Sequence, residues 1–278
     1  MVDFNERTKL AMKVAREAGV EVSKIFNGEV DLETEVKEDN SPLTIADKAS
    51  EKLIVDAIKS AFPDDSIISE EGSNTVGSSE YTWVIDPLDG TRNFAHGVPM
   101  YGVSIGCLQN GVPVIGAVYQ PEIGKDGTLF VGELGKGAWK NGKQIHVSKT
   151  SDLSQSHFEL WTPRKQELYP VQTQNLRNKG LSHKHLGSVS SELAYVASGG
   201  FDGFVYTTAN YSLWDIVAGA TLITEAGGQL SDFKGRDLIL KEGATLPPII
   251  ATNGELHGQV LDNYNVLGRV KGPLYHTR

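Results

Sequence analysis

The run Trp83-Val84-Ile85-Asp86-Pro87-Leu88-Asp89-Gly90-Thr91 puts two carboxylates, a carbonyl and a hydroxyl into one short stretch. Trp83, Val84 and Ile85 are apolar and β-prone, and Pro87 and Gly90 interrupt the pattern. Asp86 and Asp89 are therefore predicted on a tight turn where a strand ends at Asp86. Two carboxylates flanking the Leu88 carbonyl suit a hard cation such as magnesium, which takes oxygen ligands and keeps positions open for a phosphate. Gly90 and Thr91 then offer backbone N–H groups at a predicted helix start, where an anion is favoured.

Further acids lie at the ends of other predicted elements. Glu70 and Glu71 follow a short strand, Ser66 to Ser69, and Asp215 opens a helix after Ser212-Leu213-Trp214. Each alone has an ordinary explanation: a solvated pair for Glu70, a turn residue for Asp86, a dipole-favoured helix start for Asp215. Several acids at strand ends shift the balance toward a site, because ligands of α/β layers gather there. Thr44-x-x-Asp47 before an apolar helical run reads first as a capping box. Thr91 serves equally as a cap or as a hydroxyl that orients a water.

Other groups carry less. His183 and His185 alternate and could share one side of a strand as ligands, but two imidazoles without a third partner read as surface. Gly132 to Gly142 lacks nucleotide-loop spacing and reads as hairpin turns. Arg164, Lys165, Arg177, Lys179 and Lys184 read as a solvated face, and Trp214, Ile216 and Val217 as core.

The elements that must position these residues follow from periodicity. Leu10, Ala11, Val14, Ala15, Ala18, Val22, Ile25 and Phe26 recur at three and four, the stripe of an amphipathic helix. A second helix is predicted from Thr44 to a stop at Pro63, so that two helices precede the first strand. From Val103 to Val147, β-rich runs alternate with Asn110-Gly111, Asp126-Gly127 and Asn141-Gly142, the signal of an antiparallel meander whose last strand spans Gln144 to Val147. After the polar stretch Ser148 to Ser156 the pattern alternates. Strands are predicted near 158–161, 184–186, 201–206, 229–232 and 248–251, and helices near 165–179, 190–198, 213–226 and 255–261. This divides the chain into an α+β half, 1–150, and an α/β half, 151–278.

Composition narrows the function. The 278 residues suffice for a substantial core, and a net charge of -9 opposes nucleic-acid binding, which needs a basic face. The single cysteine, Cys107, sits in an apolar run and is expected to be a packed thiol, which fits a reducing cytoplasm. No apolar run has membrane-span length and the charged N-terminus lacks a signal-peptide core, so a soluble cytoplasmic protein without a membrane partner is expected.

Trp83 to Phe94, and Trp214-Asp215-Ile216-Val217-Ala218-Gly219 continuing to Glu225-Ala226-Gly227-Gly228, closely resemble the two signatures of the inositol monophosphatase family of magnesium-dependent, lithium-sensitive phosphatases. Thr44-Ile45-Ala46-Asp47, Ser69-Glu70-Glu71, Gly135 to Trp139, Asn141-Gly142 and Gly187-Ser188 match as well. The resemblance implies an α+β / α/β layered sandwich (αβαβα) and two to three magnesium ions. One ion would lie on Glu70, Asp86 and the Leu88 carbonyl, a second on Asp86, Asp89 and Asp215, and a weaker third on Glu70. A water activated near Glu70 and Thr91 would attack the phosphate in line, with Asp47 paired to the Thr91 hydroxyl, which reverses the cap-only reading of Asp47. Asp89, Gly90, Thr91, Gly187, Ser188, Val189 and Thr208 would contact a small phosphorylated substrate, and a homodimer is the family's common assembly.

Thr207, Thr208 and Ala209 occupy the region where inositol phosphatases usually carry a sugar-binding glutamate, while Lys37-Glu38-Asp39-Asn40-Ser41-Pro42 resembles relatives acting on other esters. His96-Gly97-Val98-Pro99 resembles the inositol type. The resemblance thus implies a polyol monophosphate, myo-inositol monophosphate first. Alternatives on the same core are 3'-phosphoadenosine 5'-phosphate, fructose 1,6-bisphosphate and histidinol phosphate. A catalytically silent phosphate-binding regulator is the alternative of another class.

Overall fold

The computed structural model describes residues 2–29, 34–36, 42–161, 174–176, 178, 185–209 and 211–265. The first apolar stripe forms α1 (Glu6–Phe26), capped by Asn5, whose side chain accepts from the Thr8 N–H. The second forms α2 (Ile45–Ala61), which ends two residues before Pro63. Between them β1 (Thr34–Val36) pairs antiparallel with β2 (Pro42–Thr44), so strands precede the second helix after all. Three residues are too few to show a period in sequence.

β3 (Ser66–Ser69), β4 (Tyr81–Asp89), β5 (Gly102–Gln109), β6 (Val112–Gln120), β7 (Thr128–Glu133), β8 (Gly137–Lys140) and β9 (Lys143–Ile145) form one seven-stranded sheet in chain order. β3 runs parallel to β4, and the rest is the expected antiparallel meander. Its Asn-Gly turns place both residues at positive φ, 51° and 82° at Asn110-Gly111 and 47° and 77° at Asn141-Gly142. This backbone twist matches that of paired strands. α3 (Thr91–Ala95) lies between β4 and β5.

The second sheet takes the order β10 (Phe158–Trp161), β11 (Gly203–Tyr206), β13 (Ile249–Thr252), β12 (Gln229–Asp232), and only β10 and β11 are parallel. α4 (Val189–Ala197), α5 (Leu213–Glu225) and α6 (His257–Asn265) complete the described elements. Three buried clusters reveal the layers. α1 and α2 cover one face of the large sheet through Ala11, Val14, Ile54 and Ile58. Residues of α4 and α5 meet Val84, Val118 and Phe130 from the large sheet and Phe204, Ile249 and Ala251 from the small one. α6 closes the outer face of the small sheet on Phe158, Leu160, Val205 and Ile250. The order is α-β-α-β-α.

Some sequence expectations change. β4 continues through Pro87 to Asp89, and the last meander strand is Lys143–Ile145. His185 and Leu186 are not in a strand, because Glu192 rather than a neighbouring strand takes the Leu186 N–H. Of the helix expected over 165–179, residues 174–176 and 178 are described and helical. Arg164, Lys165, Arg177, Lys179, His183, Lys184 and the run Lys37 to Ser41 lie outside the described residues.

Two features set the frame of the site. A Cβ on Gly116 would stand 2.2 Å from the Ala218 carbonyl and one on Gly106 2.5 Å from Val217, so bare backbone lets α5 settle onto the large sheet. At the other face the Arg7 guanidinium grips Asp65 through Nε (2.8 Å) and Nη2 (2.9 Å), stacked on Tyr81 and Phe62. Asp65 also accepts from Ser79 Oγ (2.6 Å) and Trp83 Nε1 (2.9 Å). These partners hold its carboxyl below its ordinary pKa, although burial pushes the other way. The knot ties α1 and β4 to the residue just before β3, and so sets the strand that leads into Glu70. Asp65→Ala leaves a guanidinium and an indole N–H unpaired, and about 3 kcal/mol of stability is expected to go, measured by urea unfolding.

Candidate metal centre

Residues three apart on a regular strand face opposite sides, so Asp86 and Asp89 could not meet on an unbroken β4. The register resolves this: Asp86 pairs with Ser104 and Asp89 with Gly102, three residues opposite two. The extra residue is a β-bulge, and it turns both acids to one side. Leu88 N–H donates to Asp86 Oδ1 (3.0 Å) and shapes the turn. After Asp89 the chain needs φ of 93° at Gly90, where a Cβ would stand 2.9 Å from the Met100 carbonyl, so glycine is required.

Asp215 arrives from the middle layer as the third residue of α5. It accepts from the Ser212 N–H (2.6 Å) in a capping box, so the helix start fixes its carboxylate. One oxygen each from Asp86, Asp89 and Asp215 fall within 4.8 Å of one another. Glu70 comes alongside because β3 is parallel to β4 and Glu70 N–H donates to the Ile85 carbonyl (3.1 Å). Its carboxyl hydrogen-bonds that of Asp86.

The electrostatics are severe. Burial first, then Glu70, Asp89 and Asp215, push the Asp86 carboxyl well above the ordinary carboxylate range. Burial and then Asp89 do the same to Asp215. Asp89 is raised by burial although three donors oppose it, and all three reach its Oδ2: Ser188 Oγ (2.8 Å), Ser190 N (2.7 Å) and Ser190 Oγ (2.5 Å). Buried carboxylates this close require protons or cations between them. An all-oxygen donor set with one helix-held and one serine-held acid fits a hard divalent ion.

Around the acids, Thr91 Oγ1 donates to the Leu88 carbonyl at 2.9 Å and lies 3.4 Å from Asp47 Oδ1. Asp47 Oδ2 meanwhile accepts from Thr44 N (2.7 Å) and Thr44 Oγ1 (2.6 Å). The capping box and the approach to Thr91 therefore coexist, one on each oxygen. Gly187, with φ of 84°, packs on Asn93, whose amide spans the Met100 and Leu186 carbonyls (2.7 Å each) and joins the two sides of the site. Ser188 spends its hydroxyl on Asp89 and Ser191, Val189 packs into the central core, and Thr208 is buried just past β11. His185 donates to Glu192 Oε1 (2.8 Å) and is not part of the Asp86, Asp89 and Asp215 group. Ser190 was missed, since a serine in Ser188-Val189-Ser190-Ser191 carries no signal that it will reach an aspartate a hundred residues away.

A model of the inositol monophosphatase family matches residues 3–265. The chain belongs to the inositol monophosphatase family. It is 37% identical over 255 residues to the Nus factor SuhB of Pasteurella multocida, covering 89% of this chain and 94% of that one. It is 33% identical over 265 residues to a fructose-1,6-bisphosphatase/inositol-1-monophosphatase of Thermotoga maritima, covering 94% and 96%. The crystal structure of the extragenic suppressor protein suhB from Bartonella henselae superposes with a TM-score of 0.84 at 28% identity, over 94% of this chain and 98% of that one. The layered αβαβα sandwich is thus the family's fold, and Asp86, Asp89 and Asp215 match a metal site typical of the family. Among the described residues no helix is long and apolar enough to cross a membrane.

The raised carboxyls give a pH signature. Their folded pKa lies above the unfolded value, so without metal the folded state holds extra protons and loses stability as pH rises. The gain in melting temperature on adding magnesium is expected to grow between about pH 5 and 8, read by calorimetry. A constant gain across that range would refute the cation role of the cluster.

Proposed function

We propose that the chain is a magnesium-dependent phosphomonoesterase acting on a small polyol or sugar phosphate, with myo-inositol monophosphate first among its substrates. The observation that carries this is the convergence of the Asp86, Asp89 and Asp215 oxygens beside the N–H-bearing turn at Gly90 and Thr91. Glu70, Asp86, Asp89, Asp215 and the Leu88 carbonyl would hold the ions. Bound magnesium supplies a more acidic water and neutralises charge on attacking and leaving oxygens.

The protein's own groups do the rest. The N–H groups of Gly90 and Thr91 would hold phosphate oxygens, and the Gly187-Ser188-Val189 segment would line the same side. The Thr91 hydroxyl would take a proton from water only as it passes its own to the Asp47 carboxylate 3.4 Å away, and Glu70 would flank the same volume. Ser188 and Ser190 keep Asp89 oriented.

The similarity to the Pasteurella multocida Nus factor SuhB favours a second reading: a chain that keeps the site yet acts as a phosphate-ligand-binding regulator. A panel of inositol 1-phosphate, fructose 1,6-bisphosphate, 3'-phosphoadenosine 5'-phosphate, histidinol phosphate and NADP separates the two. Magnesium-dependent, lithium-inhibited phosphate release is expected. No turnover on the panel, with calorimetric binding retained, would favour the regulator. Asp89→Asn is expected to lower kcat/KM by roughly a hundredfold or more with the fold intact, and Ser190→Ala by roughly tenfold through misorientation of Asp89. Undiminished turnover in Asp89→Asn would sink the assignment.

A further inference from the structure

The metal turn is backed by a helix that supplies none of the proposed ion ligands. Asp47, Ser50 and Glu51 stand three and four residues apart on α2, so they share one face, and all three are buried. Each meets a segment that carries a site residue. Asp47 approaches Thr91. Ser50 Oγ donates to the Pro87 carbonyl at 2.7 Å, in the interior. Glu51 holds Ser73 through both oxygens, accepting from its N–H at 3.3 Å and from its Oγ at 2.9 Å.

The Ser50 contact falls where β4 is least supported. Pro87 and Leu88 lie between the pairs Asp86–Ser104 and Asp89–Gly102, where the ladder to β5 is interrupted. Proline has no N–H, so the carbonyl is the one backbone handle that Pro87 offers. The peptide unit joining Pro87 to Leu88 is planar, with its C=O and N–H opposed. It is held at both ends: Ser50 fixes the oxygen, and the Leu88 N–H then points at Asp86 Oδ1, 3.0 Å away. A hydrogen bond accepted by the carbonyl also polarises that N–H and strengthens its grip on Asp86. Glu51 acts on the neighbouring acid. Ser73 follows the turn Glu70-Glu71-Gly72, in which Gly72 takes φ of 96° and returns its N–H to the Ser69 carbonyl (3.2 Å). Holding Ser73 therefore fixes the exit of the turn that begins at Glu70.

We propose that Ser50 and Glu51 are positioning residues for the ion on Glu70, Asp86 and the Leu88 carbonyl, Ser50 acting through the Pro87–Leu88 peptide on Asp86 and Glu51 through Ser73 on Glu70. Neither touches the ion. Each removes a rotation from a group that would hold it, and carboxylates that repel one another turn apart unless they are held. The inference rests on the metal ligands proposed above and adds the residues that preorganise them.

The test is the magnesium affinity of the full chain, read by titration calorimetry well below the melting temperature. There a loss of stability alone leaves Kd unmoved, because wild type and variant are both folded. Ser50→Ala and Glu51→Leu are each expected to weaken one magnesium-binding step about tenfold, and Glu51→Gln, which keeps one acceptor for Ser73, to restore part of the loss. Ser231→Ala is the control: it removes an equally buried hydroxyl on β12, bonded to the Asp232 carbonyl and to His257, and is expected to leave Kd unchanged. An unchanged Kd in Ser50→Ala or Glu51→Leu overturns that residue's role, and an equal loss in Ser231→Ala overturns both. Should Ser50→Ala not fold, Ser50→Cys keeps the shape with a weaker donor and is expected to weaken the step severalfold, with no change again overturning the role. If the wild type binds no magnesium, the metal assignment itself fails and the positioning roles fall with it.

Discussion

Mutual repulsion among buried carboxylates is the constraint on which the rest of this molecule is arranged. Asp86, Asp89 and Asp215 stand within 4.8 Å of one another, with Glu70 hydrogen-bonded to Asp86, and each of the four raises the cost of ionising its neighbours. Such a group is held together only by the surrounding fold. Each acid is accordingly anchored by backbone geometry: a bulge for Asp86 and Asp89, a helix start for Asp215, a parallel pair of strands for Glu70. The strain also bears on selectivity, since a small, hard, doubly charged ion would relieve it.

The layers distribute this task. The large sheet contributes three of the acids and the middle helical layer contributes the fourth, so the site exists only while α5 is seated on that sheet. The glycines under α5 act at this level: they bring Asp215 close by removing the side chains that would hold its helix away. The serines at the start of α4 act one level further out, steering an acid they do not belong to.

Much of this was legible in the chain. Cation chemistry demands acids, and Asp86, Asp89 and Asp215 stand where apolar runs stop, so their role could be read from residue type and place. The α1 stripe, the Asn-Gly turns and the Pro63 stop gave clear local signals. The bulge did not, because an extra residue is visible only against the strand it faces, and Pro87 suggested a break where the strand goes on. α3 is too short to show a period. Ser190 and Ser50 depend on contacts between distant elements, which leave no trace in either segment alone.

Asp47 has a thermal consequence. One of its oxygens closes the first turn of α2 and the other faces Thr91, so the integrity of a helix end and the environment of a hydroxyl share a single side chain. Helix ends open far more often than cores, at a fraction of the global unfolding free energy. Each opening of that turn withdraws Asp47 from Thr91. On warming, Thr91 would therefore lose this neighbour intermittently while the sandwich stands intact, at a temperature set by one turn of helix.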